Sequence, residues 1–184
     1  MQKLNQVKNI NFDMDGVLVD LSKGLSQLDG FDDPVMWYMH KYSTDGNALY
    51  IKSIERHLES ECFYKCPPMP RYEEMKNLIE DLLTKDYKIN ILSSCMDKPY
   101  SDIIVEQKIN WLKTHYNDYF KYFNEVNIVR GSQLKINYIC DQSLLIDDYH
   151  KTHNSFIENG KGHQFILYKN FDDCKQKLNE LNII

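Results

Sequence analysis

The sequence predicts an α/β protein, a parallel sheet flanked by helices with a small helical cap inserted after the first strand. Three observations carry this. Short apolar segments alternate along the chain with stretches of helical spacing, the pattern of a parallel sheet covered on both faces. Several of those apolar segments run directly into Asp, Ser or Lys-bearing turns, as strands do when they end at a site. Residues 21–71 change in character, broken by Gly24, Gly30, Pro34, Gly46 and the run Pro67-Pro68-Met69-Pro70.

In chain order, Val7 to Phe12 alternates apolar residues and leads into Asp13-Met14-Asp15-Gly16, a strand followed by an acidic turn. The punctuated, aromatic-rich segment 21–71 reads as the cap, leaving 1–20 and 72–184 as the core. The proline run is a natural return hinge, because each ring fixes its own backbone and biases the residue before it toward extended geometry. Met75, Leu78, Ile79, Leu82 and Leu83 then fall at the spacing of an amphipathic helix. A strand over Tyr87 to Leu92 follows and runs into Ser93-Ser94-Cys95. Next come a helix from Tyr100 to Tyr116, a strand at Val126 to Val129, and a loop with Arg130, Gly131 and Lys135. A strand from Ser143 to Ile146 ends in Asp147-Asp148. Helix, strand and helix close the pattern at His150 to Glu158, His163 to Tyr168 and Asp172 to Leu181. There are no internal repeats or low-complexity tracts.

A chain of 184 residues holds one domain, or one core with a small insertion, and buries enough surface to fold without disulfides. The five cysteines are odd in number and lack the paired spacing of a zinc site, which fits free thiols in a reducing compartment. Cys62 and Cys66 stand one helical turn apart, with no second pair to complete a metal shell, and read as structural. A net charge of -5 argues against long nucleic acids, whose binding needs many Lys and Arg on phosphates, but not against one small phosphate ester. The stretch Met1-Gln2-Lys3-Leu4-Asn5 lacks the apolar core of a signal peptide, and no segment is long enough to cross a bilayer. The expected location is the cytoplasm, with no membrane partner.

Four apolar strands therefore lead into polar residues: Asp13 with Asp15, then Ser93, the loop bearing Lys135, and Asp147 with Asp148. In an open parallel sheet, ligands sit beyond the carboxyl ends of the strands, so these residues share one edge. Four carboxylates there repel one another unless a cation lies between them. Oxygen-only donors suit a hard ion, magnesium first, with manganese an allowed substitute.

Asp13-Met14-Asp15-Gly16-Val17-Leu18, Ser93 after a strand, Lys135 and Asp147-Asp148 stand in the order of the four motifs of the haloacid dehalogenase (HAD) superfamily of phosphohydrolases, which the chain resembles over nearly its whole length. Phe63-Tyr64 ahead of Pro68-Met69-Pro70, the segment Trp111 to Tyr116 and Leu144 to Asp148 narrow the resemblance to the 5'(3')-deoxyribonucleotidase family. It implies a Rossmann-like core and a magnesium-dependent phosphatase acting on nucleoside monophosphates. Asp13 would be the nucleophile and Asp15 the acid and base. Asp13, Asp15 (through its backbone carbonyl), Asp147 and Asp148 would hold the metal, Asp148 preferred over Asp147 as direct ligand. Ser93, Ser94 and Lys135 would bind phosphate, Arg130 being the alternative to Lys135. Trp37, Phe63 and Tyr64 would meet the base or sugar. The resemblance alone implies a homodimer. Ser93-Ser94-Cys95 stands where those nucleotidases more often carry Thr-Ser-Pro, although serine keeps the needed donor.

Plainer roles fit the same residues. Asp147-Asp148 and Ser93 also suit helix N-caps, Lys135 a solvated lysine, and Trp37, Phe63 and Tyr64 the core of a helical bundle. His115, His150 and His153 lack evident partners and read as structural or solvated. Two rival functions remain: a phosphatase for another small ester or a nucleic-acid end, and a non-catalytic domain that binds phosphate or a protein. The presence of both Asp13 and Asp15 favours an enzyme.

Overall fold

Five parallel strands form the centre of the molecule, in the order β3-β2-β1-β4-β5. They are β1 (Asn9–Phe12), β2 (Lys88–Cys95), β3 (Glu125–Arg130), β4 (Ser143–Asp147) and β5 (Phe165–Leu167). The computed structural model describes residues 7–34, 46–96 and 99–184. Helices α1 (Leu21–Leu28), α2 (Gly46–His57) and α3 (Cys62–Lys65) lie between β1 and β2, and α4 (Tyr72–Thr84) leads into β2. After β2 come α5 (Ser101–His115) and the short α6 (Asn117–Phe120), then β3 and a 3-10 helix over Ser132–Tyr138. The chain ends with β4, α7 (His150–Glu158), β5 and α8 (Phe171–Glu180).

The strands alternate their side chains between two cores, as a sheet covered on both faces requires. Ile10 and Phe12 of β1, Ile89 and Ile91 of β2, and Leu144 and Ile146 of β4 join one cluster with Leu78, Ile79 and Leu82 of α4, Trp111 of α5 and Leu178 of α8. Leu92 and Leu145 point to the other side, with Phe156 of α7, Phe165 and Ile139. Each such side chain, once fully buried, contributes about 1.5–3 kcal/mol. Among the described residues no helix is long and apolar enough to cross a membrane.

The segment between β1 and α4 leaves and returns at one place. The Asp20 amide donates to the Pro67 carbonyl (2.9 Å) and the Met69 amide to the Leu18 carbonyl (2.9 Å). Within it, Asp29 at the end of α1 accepts from Ser53 (2.7 Å) and pairs with His57 (2.8 Å) of α2. Helix α5 holds its return limb. Gln107 accepts from the Phe63 amide (3.1 Å) and donates to the Leu58 carbonyl (2.8 Å), and the Trp111 indole donates to the Cys66 carbonyl (2.7 Å).

Several boundaries differ from the sequence reading for local reasons. β2 extends through Cys95 because β3 pairs with it as far as Cys95 and Arg130, so Ser93 and Ser94 lie inside the strand. Lys135 sits on a 3-10 helix instead of a loop. β5 is shorter than expected, since residues Gly162–Gln164 turn as 3-10 before pairing with β4 begins. Cys66 donates its thiol to the Cys62 carbonyl (3.0 Å), a local structural bond.

Candidate active site

β1 is flanked by β2 on one side and β4 on the other, so successive connections leave it in opposite directions and open a crevice at the carboxyl ends of β1 and β4. Asp13 follows β1, and its amide donates to the Ile146 carbonyl (2.9 Å), which aligns it with the end of β4. Asp147 is the last residue of β4 and Asp148 the next. Beyond Asp13 the chain turns tightly: Leu18 and Val19 both donate to the Met14 carbonyl, each at 2.8 Å. Gly16 makes that turn with φ +76°, and a Cβ there would lie 2.0 Å from Asp148 Oδ2. Glycine is needed twice over, for the left-handed backbone and for the space Asp148 occupies.

Asp13, Asp147 and Asp148 each bring one carboxylate oxygen within 4.8 Å of the others. Lys135 reaches them from the 3-10 helix, 2.8 Å from Asp13 Oδ2 and 2.7 Å from Asp147 Oδ2, with its side chain only 1% exposed. Burial alone would lower the pKa of this lysine; the two aspartates outweigh it and raise the value above the ordinary one. Asp13 Oδ1 accepts from the Met14 amide (2.7 Å), and Asp147 Oδ1 from the Tyr149 amide (2.8 Å). Asp147, fully buried, is pushed up to about 6 by desolvation and then by Asp13. Asp148 stands at the mouth of the site with no hydrogen bond among the described residues. Its carboxyl is pushed up to about 8, first by desolvation, then by Asp13, Asp147 and Asp15. Three crowded carboxylates with one lysine between two of them form an oxygen-only donor set with negative charge in excess, which fits a hard divalent cation.

Asp15 faces the same crevice. Its Oδ2 accepts from Lys108 of α5 (2.6 Å), whereas Oδ1 is buried with no partner among the described residues. Desolvation raises its pKa, against the opposing pull of Lys108. Ser93 is fully buried, and its Oγ accepts from Lys108 (3.1 Å); the Ser94 carbonyl accepts from the same ammonium (2.8 Å).

Among the remaining expected residues, Phe63 is 4% exposed, with its ring 5.2 Å from Lys108 Nζ. Tyr64 turns outward, where its hydroxyl meets that of Thr114 (3.3 Å). Trp37 lies outside the described residues. Arg130 is half exposed and reaches Asp102 (3.4 Å), so Lys135 is the cation that meets Asp13. Ser93 is no helix cap, since it lies in β2, eight residues before α5. His115 stacks on Trp111 (4.4 Å between centroids) and His153 packs on Phe165 (5.0 Å), both structural contacts.

Lys108 is the residue that sequence reading missed. Its signal was there: Ile104, Gln107, Lys108 and Trp111 share one helical face, and all four are buried. Two polar residues inside an otherwise apolar stripe need buried partners.

No protein-family model and no curated protein sequence matches the chain. Among solved structures, a hydrolase from Streptococcus pneumoniae TIGR4 superposes with a TM-score of 0.56 at 14% identity, over 95% of this chain and 99% of its own. A protein from Clostridium difficile named a putative phosphatase gives 0.54 at 12% identity, over the same 95% and 99%. An L-2-haloacid dehalogenase from Xanthobacter autotrophicus gives 0.48 at 11% identity, over 97% and 85%. With the first two the chain shares an α/β fold, five parallel strands between layers of helices, over almost its entire length.

Proposed function

We propose that the chain is a magnesium-dependent phosphatase of the HAD superfamily that hydrolyses nucleoside monophosphates through an aspartyl phosphate on Asp13. The observation that carries this reading is the group formed by Asp13, Asp147 and Asp148, within 4.8 Å of one another and joined by the buried Lys135, at the switch point of a parallel sheet. The likeness in fold to a hydrolase and to a protein named a phosphatase agrees with it.

In this mechanism Asp13, the backbone carbonyl of Asp15 and Asp148 would hold the metal with Asp147 in support, Asp148 being the carboxylate left without hydrogen bonds among the described residues. Bound magnesium would supply positive charge to the phosphate oxygens as the ester bond breaks. Lys135 keeps one ammonium hydrogen beyond its two carboxylate partners, and that hydrogen is the donor for a phosphate oxygen. A carboxylate oxygen of Asp13 attacks phosphorus; the bond from phosphorus to the ester oxygen breaks, and Asp15 gives its proton to the departing oxygen. Water then attacks the phosphorus, Asp15 takes the proton from that water, and the bond to Asp13 breaks to release phosphate. The two halves need Asp15 protonated and then ionised; burial raises its pKa, and Lys108, beside it, favours the ionised form.

One observation favours a second reading, a small phosphate monoester other than a nucleotide. Phe63 is buried with Lys108 over its ring and presents no bare face to a base, and the Tyr64 hydroxyl is engaged by Thr114. The experiment is phosphate release from a panel of 5'- and 3'-nucleoside monophosphates, sugar phosphates and phosphorylated oligonucleotides, with magnesium or with chelator. Turnover of nucleotides that needs magnesium and is lost in Asp13→Asn supports the reading. Turnover of sugar phosphates alone moves the substrate to the second reading, and none at all with any ester removes the phosphatase.

A further inference from the structure

Lys108 is a buried lysine outside the four strand ends. It enters from α5, is 1% exposed, and sits between Asp15 and the end of β2. An ammonium has three hydrogens and no acceptor. Lys108 uses all three: Asp15 Oδ2 at 2.6 Å, the Ser94 carbonyl at 2.8 Å and Ser93 Oγ at 3.1 Å. Its geometry therefore differs from that of Lys135, which among the described residues meets two acceptors, Asp13 Oδ2 and Asp147 Oδ2. Lys108 cannot donate to a substrate phosphate without giving up one of its present bonds.

We propose that Lys108 is a positioning residue for proton transfer: it fixes the Asp15 carboxylate and the Ser93 hydroxyl in one frame, and does not itself bind phosphate. The inference rests on the phosphatase reading given above. With Oδ2 held by Lys108, the other oxygen of Asp15 is the one without a partner among the described residues, and it is the oxygen that hands a proton to the leaving group. Because Ser93 Oγ accepts from Lys108, its own hydrogen is directed elsewhere, toward a phosphate oxygen. The Phe63 ring, 5.2 Å from the ammonium, closes the other side. Gln107 accepts from the amide of that same Phe63, so the helix that carries the lysine is hydrogen-bonded to the segment that covers it.

Two esters separate positioning of the acid from binding of phosphate. In a nucleoside 5'-monophosphate the leaving group is the nucleoside's 5'-oxygen, a poor alkoxide that needs the Asp15 proton, whereas 2,4-dinitrophenyl phosphate releases a stable phenolate that does not. The quantity read is kcat/KM, which reports the transfer to Asp13. Lys108→Met is expected to lower kcat/KM for the nucleotide by about 100-fold, the usual consequence of an ångström-scale misplacement. The same variant should change the dinitrophenyl ester by less than about tenfold, the value of a partly disturbed Ser93 donor. In an Asp15→Asn background the ratio between the two esters should no longer respond to Lys108→Met, because the proton it positions is gone. If Lys108→Met melts below the assay temperature, Lys108→Gln, which keeps one donor for the Ser94 carbonyl, carries the same comparison. Equal losses on both esters, or an equal response in the Asp15→Asn background, overturn the inference while leaving a phosphatase in place. A parent chain that turns over neither ester removes the phosphatase reading, and the inference with it.

Discussion

Replacing Gly16 by alanine tests whether the turn after β1 shapes the acidic site. The new Cβ would lie 2.0 Å from Asp148 Oδ2 and 2.4 Å from its Cγ, against an ordinary contact of 3.4 Å or more, so the carboxylate has to retreat by about 1.4 Å. That is several times the tolerance of roughly 0.2 Å in metal–ligand distances. The backbone cost is separate: φ +76° in a residue with a Cβ costs about 1–2 kcal/mol. For a chain of this length that lowers the melting temperature by about 2–8 °C. Gly160→Ala supplies the control, because its φ is +71° and nothing among the described residues lies within 4 Å of its added Cβ. Both variants should lose similar stability in chelator, measured by thermal unfolding. Only Gly16→Ala should raise the magnesium concentration needed for half-maximal phosphate release, by at least about tenfold. The same magnesium requirement in both variants would refute the contact between Gly16 and Asp148 as a determinant of the site.

Three further outcomes follow from the same geometry. Lys135→Met leaves Asp13 and Asp147 buried without their cation, and in chelator it should cost about 3–5 kcal/mol by urea unfolding; a loss no larger than that of the exposed Arg130→Ala would contradict this. Asp147 and Asp148 are raised to about 6 and about 8 in the folded chain, against 3.8 ordinarily, so they bind protons more readily folded than unfolded. Their stabilising effect is complete below the ordinary value and is lost as pH rises through 6 and 8, so the metal-free protein should weaken over that span and magnesium should flatten the slope; a metal-free melting temperature that climbs across this range would count against the crowded carboxylates. Trp111→Phe removes the indole donor from the buried Cys66 carbonyl and should cost about 1–3 kcal/mol, seen as a shift in denaturant midpoint; no shift would show that the return limb is held elsewhere.

The strand ends were legible because each is a short apolar run stopped by charge, and backbone pairing then decides only where each strand stops. β2 illustrates the limit: its last residues, Ser93 to Cys95, are polar or small and look like a turn, yet pairing with Ile128 to Arg130 keeps them extended. Asp13, Asp147 and Asp148 could be grouped from sequence because the switch-point rule brings strand ends together whatever lies between them. Lys108 could be read from its helical stripe as a polar residue needing a buried partner, but not as a partner of Asp15, since that contact depends on how far α5 overlaps β2, a packing distance that no local pattern encodes. Tyr64 shows why adjacency in sequence says little about surroundings: one step along a helix rotates a side chain by about 100°, so Phe63 is buried while Tyr64 is exposed with its hydroxyl against Thr114.

The central claim is that Asp13 accepts the phosphoryl group beside a cation held by the acidic cluster. A crystal structure of the protein with magnesium and beryllium trifluoride, a mimic of the phosphoryl group, tests it most directly. The account predicts beryllium bonded to a carboxylate oxygen of Asp13, magnesium against Asp13 and Asp148, and Lys135 donating to a fluoride. Beryllium on another side chain, or magnesium bound away from the ends of β1 and β4, would contradict it.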